Sequence, residues 1–117
     1  MKSPWRHLVD ATRYSLQGIR AAFRNEMAFR LETLVLAFVV PAALWLGDNG
    51  VERALLLGSY MLVLVVEFLN SAVEALVNRI GPERHELSGR AKDLASAAVF
   101  AAIVLACVVW VLVLFSP

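Results

Sequence analysis

The stretch VEFLNSAVEALVNRI, residues 66–80, sets Glu67, Asn70, Glu74 and Asn78 at intervals of three, four and four residues. On a helix that spacing gathers all four on one stripe. Most of the remaining residues in the stretch are apolar, and a carboxylate facing hydrocarbon costs about 3 kcal/mol on insertion scales. The stripe could tie neighbouring helices together, but two acids and two amides on one face exceed what packing needs. Cation binding or proton transfer is the chemistry these groups offer. Glu26 and Glu32 border the preceding apolar run and could bring another carboxylate close to Glu74. Magnesium suits such oxygens, since it binds through one or two carboxylates together with a nucleotide's phosphates. Further along, Lys92 offers a point charge for a phosphate, with Asp93 beside it, and Arg90 offers a forked contact. His85 by itself reads as a surface loop residue.

No Gly-x-x-x-x-Gly-Lys-Ser/Thr loop, Gly-x-Gly-x-x-Gly or His-Arg-Asp motif occurs in the chain, which excludes the soluble nucleotide-binding folds that depend on them. Phosphoryl transfer would here be carried out by helices, a metal and a general base. The reaction permits this, because positioning and charge neutralisation dominate it.

The elements that must hold these groups are helices in a membrane. Of 117 residues, 60% are hydrophobic and 18% charged, against about 25% charged in soluble domains. Ser3-Pro4 opens a helix. Its apolar residues Trp5, Leu8, Val9, Leu16, Ile19 and Phe23 recur at helical spacing, with Arg6, Arg13, Gln17, Arg20 and Arg24 on another face. That is the pattern of an amphipathic surface helix, about residues 4–25, lying on anionic lipid. Three spans follow, at about 27–46, 54–80 and 94–115, each long enough to cross about 30 Å of hydrocarbon. Pro41 is a candidate kink in the first. GDNG, residues 47–50, is a short turn that makes the first two spans antiparallel. Gly81-Pro82 ends the second, and PERHELSGRAKD, residues 82–93, forms a polar connection to the third. Ala98, Ala102 and Ala106 make a small-residue stripe suited to close helix packing. Cys107 stands alone in an apolar run as a packing residue, without a second thiol for a disulfide.

The N-terminus lacks the apolar core and cleavage site of a signal peptide, so nothing is expected to be removed from it. Basic residues crowd before the first span and around the second connection, whereas the first connection carries only Arg53. The positive-inside rule therefore predicts a cytoplasmic N-terminus and 82–93 segment, with the C-terminus outside. One chain of this length encloses little volume, so a pocket between subunits, and hence an oligomer, is expected.

Three runs carry a family resemblance: RAAFRNEMAFRLE (20–32), VEFLNSAVEALVNRIG (66–81) and HELSGRAKDLASAAV (85–99). Together they closely resemble the prokaryotic integral-membrane diacylglycerol kinases, over nearly the whole chain and its length. The resemblance implies an all-α membrane protein, one N-terminal amphipathic surface helix plus three transmembrane helices per subunit, assembled as a homotrimer with active sites shared between subunits. It implies transfer of the ATP γ-phosphate to diacylglycerol, giving phosphatidic acid, with Mg2+ as cofactor, in the bacterial inner membrane. Glu67 matches the family's catalytic base. Glu26 and Glu74 match the carboxylates that hold the metal on the nucleotide. Tyr14, Glu83, His85, Lys92 and Asp93 match nucleotide-contacting positions, while Asn70, Arg20, Arg30 and Glu32 match positions around the lipid substrate. The chain departs from the family at Asn78, where aspartate is frequent and a carboxylate near the nucleotide is lost. It departs again at Arg84, in place of an aromatic residue, and at His7, where an arginine is expected.

Two other activities fit parts of the pattern. Undecaprenol kinase would use the same chemistry on a longer lipid alcohol, but the surface helix and the RAAFRNE run favour diacylglycerol. A small proton-coupled multidrug transporter also uses a membrane-embedded glutamate, but needs a fourth span. A non-catalytic membrane scaffold leaves the polar stripe unexplained.

Overall fold

A computed structural model describes residues 3–81 and 85–117. They form four helices, α1 Pro4–Asn25, α2 Met27–Leu46, α3 Gly50–Ile80 and α4 Glu86–Phe115. Ser3 caps α1 by accepting the Arg6 N–H on its hydroxyl, with Pro4 in the first turn. The break between α1 and α2 is a single residue. Glu26 takes φ −117°, ψ 109°, and its N–H closes α1 on the Ala22 carbonyl. Its carboxylate makes no capping bond to α2. α2 runs on through Pro41 without interruption.

Gly47 ends α2 where a side chain would not fit, because a Cβ there would meet Arg53 Cγ at 2.6 Å and the Ala43 carbonyl at 3.0 Å. Asn49 then caps α3, its Oδ1 accepting the Glu52 N–H at 2.9 Å, while Glu52 Oε1 accepts the Asp48 N–H at 3.0 Å. This reciprocal cap starts α3 at Gly50 rather than at Ala54, where the apolar run begins. α3 ends at Gly81, whose φ of 147° is closed to residues with a side chain. α4 begins at Glu86 rather than Leu94. His85 caps it, its Nδ1 accepting the Leu87 N–H at 3.0 Å, and Arg90 reaches Glu86 one turn back at 3.3 Å. Part of what reads as a polar connection is thus the first two turns of a helix.

α2, α3 and α4 are each long and apolar enough to cross a membrane. With 20 residues, α2 matches the hydrocarbon thickness. With 31 and 30 residues, α3 and α4 are about 45 Å long and must project beyond it. α4 packs chiefly on α3, α2 more lightly on α3, and α1 on α2. Leu56, Ser59, Val63 and Leu64 are the buried residues of α3, a stripe at helical spacing. The Trp110 indole N–H donates to the Leu56 carbonyl at 3.0 Å, tying the far end of α4 to the start of α3. Outward faces stay apolar, with Trp45 85% and Phe115 80% exposed. Backbone polar groups satisfied within helices and apolar side chains turned outward are what lipid demands.

Of the alanine stripe on α4, Ala102 is buried and Ala106 half-buried, but Ala98 is exposed. Ala102→Leu should therefore overpack the α4 interface and destabilise the fold by about 1–3 kcal/mol. A thermal unfolding scan in detergent micelles checks this. An unchanged midpoint would mean that close approach at Ala102 contributes nothing.

Candidate active site

Several of the groups singled out in the sequence, among them Glu26, Glu32, Glu67 and Lys92, lie toward one end of the bundle, where the α1–α2 junction meets the C-terminal half of α3 and the start of α4. Aromatic contacts set this junction. Phe29 of α2 is buried, meets Phe23 of α1 edge-on at 5.6 Å between centroids, and packs at 4.8 Å on Phe68 of α3. Each such contact contributes about 0.5–1.5 kcal/mol beyond its area. Because Phe68 is the neighbour of Glu67, the cluster fixes the level at which the acid stands relative to α2.

Across that level the Glu32 carboxyl stands beside that of Glu67. Two carboxylates in contact repel, so the pair is suited to hold a proton or a cation. Glu32 Oε2 and Asn70 Oδ1, the latter one turn beyond Glu67, are both buried without a hydrogen-bond partner. Buried acceptors left open in this way call for a donor or a cation. Tyr60, two turns before Glu67, donates its hydroxyl to the Glu32 main-chain carbonyl at 2.6 Å.

Glu74 follows on the same stripe, half-buried. Glu26 is also half-buried and borders a groove of about 370 Å³ between α1 and α3, with Gly18, Ala22, Phe68, Ser71 and Ala75 among its walls. Among the described residues no three His, Cys, Asp or Glu side chains gather closely enough to hold an ion by themselves. A magnesium ion bound through one or two carboxylates would complete its shell with water and phosphate.

Lys92 and Asp93 are exposed on the second turn of α4, not in an irregular connection. The Lys92 ammonium donates to Asn78 Oδ1 at 3.1 Å, which links the projecting ends of α3 and α4. An amide partner holds the lysine in place without cancelling its charge. His85 caps α4 and borders a smaller groove with Ile80, Gly81 and Ser88. Arg30 is drawn to the junction, its Nη1 donating to the Phe23 carbonyl at 3.3 Å. Tyr14 and Arg20 remain exposed on α1, with the Arg13 guanidinium 5.3 Å from the Tyr14 ring centre. Glu83, and Arg84 beside it, lie outside the described residues.

Sequence reasoning placed Glu32 near a lipid headgroup but missed its contact with Glu67, and passed over Tyr60 as part of an apolar run. One signal was available, since Tyr60 precedes Glu67 by two helical turns and so shares its stripe. The Asn78–Lys92 bond and the Phe23–Phe29–Phe68 cluster had no comparable signal, because each joins separate helices.

Three apolar helices with a carboxylate pair and open acceptors at one end define a multi-pass membrane protein with a polar site. The sequence matches the family described as prokaryotic diacylglycerol kinase over residues 13–114. It is 51% identical to a diacylglycerol kinase of Escherichia coli (strain K12), covering 93% of this chain and 89% of that protein. It is 50% identical to one of Haemophilus influenzae, covering 93% and 92%, and 46% identical to one of Pseudomonas aeruginosa, covering 95% and 90%. The chain belongs to the prokaryotic diacylglycerol kinase family.

Proposed function

We propose that this chain, a diacylglycerol kinase by family, transfers the γ-phosphate of ATP to the free hydroxyl of diacylglycerol and yields phosphatidic acid and ADP. The observation that carries this reading is the Glu67 carboxyl, half-buried on an apolar helix and in contact with Glu32. A base so placed takes the hydroxyl proton of a lipid whose acyl chains remain among the helices. The lipid oxygen forms its bond to the γ-phosphorus as the bond to the ADP oxygen breaks in line. Glu32 orients the Glu67 carboxyl, and the open Asn70 Oδ1 offers the lipid an acceptor one turn further along α3.

Glu26 and Glu74 would hold Mg2+, which when bound neutralises the phosphate charge. Lys92, with its ammonium steadied by Asn78, faces the polyphosphate. Asp93, His85, Glu83 and Tyr14 complete the nucleotide side, and Arg20 and Arg30 lie toward the lipid headgroup. We place the site at the cytoplasmic face of the bacterial inner membrane, because basic residues flank that end of the bundle. α1 then lies along the surface with Trp5 and Leu8 toward lipid, both largely exposed on the isolated chain. The active unit is a homotrimer in which subunits share sites. The apolar outward faces and the exposed position of Tyr14 support that arrangement.

The test is the purified protein in mixed micelles with labelled ATP and magnesium, offered diacylglycerol or undecaprenol. Labelled phosphatidic acid is expected. Stronger labelling of undecaprenol would replace the substrate, and absence of any ATP-dependent lipid labelling would remove the reading altogether.

A further inference from the structure

Tyr60 stands deeper in the bundle than the groups assigned above, yet its hydroxyl donates at 2.6 Å to the main-chain carbonyl of Glu32, 28 residues away in sequence. It is half-buried and lies two helical turns, about 10 Å, before Glu67 on the same stripe of α3. Glu32, whose backbone it holds, places its carboxyl against that of Glu67. We propose that Tyr60 is a positioning residue for phosphoryl transfer, setting the register of α2 on α3 so that Glu32 orients the Glu67 carboxyl. This rests on the reading of Glu67 as the base.

The register at this level needs such a tie. α2 packs on α3 more lightly than α4 does, and α2 begins at a one-residue break, Glu26. A further polar tie between α2 and α3, from Arg53 Nε to the Leu44 carbonyl at 3.0 Å, sits at the opposite end of α2. Between helices in lipid no hydrophobic force restores a slipped register, so packing and polar ties must hold it. Beside the contact, Glu32, Tyr60, Val63 and Trp110 border a groove of about 400 Å³. That space lets α2 shift once the hydroxyl is gone. A displacement near 1 Å at a reacting group can lower a rate by about 100-fold, so partial loosening lowers turnover while leaving the binding groups of α1 and α4 in place.

The experiment uses the full chain in mixed micelles. For Y60F, kcat is expected to fall roughly five- to tenfold, a fraction of the effect of full misplacement, with KM for ATP and for diacylglycerol within about twofold of wild type. Combined with Glu32→Gln, Y60F should add little, because both act through one contact. R53M removes a comparable tie between α2 and α3, the Arg53 bond to the Leu44 carbonyl, at the end of α2 away from the carboxyl pair. It should lower the unfolding temperature and keep kcat. A wild-type kcat in Y60F, losses that add fully to those of E32Q, or an equal kcat loss in R53M would overturn the proposal. Should Y60F fail to fold, tyrosine fluorinated on the ring at position 60 alters the donor with little change of shape, and a kcat left unchanged by it overturns the proposal equally. An active wild type with an inactive E67Q confines any such failure to Tyr60. A wild type without lipid kinase activity, or a fully active E67Q, instead removes the underlying reading.

Discussion

Glu67→Gln is expected to lower turnover by about 10²- to 10⁴-fold, the usual contribution of a general base. Assembly and ATP binding should remain near wild type. Glutamine keeps the volume and can still hydrogen-bond Glu32, so the contact that the carboxyl makes across the α2–α3 interface survives in altered form. What it cannot do is take a proton from an alcohol. The aromatic contacts of Phe68 with Phe29 lie beside the substituted residue and do not depend on its charge. Initial rates in mixed micelles at saturating ATP and lipid, alongside nucleotide binding to the same preparation, check the expectation. Retention of more than a tenth of wild-type turnover would remove Glu67 from the role of base.

Glu74→Gln should act on a different quantity. The residue is half-buried two turns beyond Glu67, toward the projecting end of α3, where a nucleotide can reach it from water. As one of only two carboxylates assigned to the ion, its loss should raise the magnesium concentration for half-maximal rate by at least the 10- to 100-fold seen when outer-shell partners of metal ligands are removed. That corresponds to about 1.4–2.8 kcal/mol. At saturating magnesium much of kcat should return, since Glu67 and Glu32 are intact. A magnesium titration at fixed ATP decides. A half-saturation point equal to wild type, with kcat alone reduced, would place Glu74 in the chemical step instead of at the metal.

Helix number and the polar stripe were legible in the sequence because each follows from local periodicity. The cap at Ser3 and the stop at Gly81 are local too, whereas the Asn49 cap, which starts α3 at Gly50, lies ahead of the apolar run and was not read. The start of α4 was not legible from hydropathy. That measure marks where a helix enters hydrocarbon, whereas residues 86–93 are helical in polar surroundings, capped by His85 and steadied by the Glu86–Arg90 pair. Arg30, assigned to the headgroup region by resemblance, also donates to the last turn of α1, across the one-residue break in the helix at Glu26.

From its own residues the sequence determined that this chain forms apolar helices of membrane-spanning length and that four polar groups share one face of one of them. Helical periodicity and the cost of acids in hydrocarbon are properties of a single strand of residues, so no fold is needed to read them. Only the tertiary structure decided which groups from other helices meet that face: Glu32 on Glu67, Tyr60 on the Glu32 backbone, Lys92 on Asn78. Those pairings depend on the register of helices packed side by side, and register in lipid is set by the fit of side chains at a few contacts between segments remote in sequence.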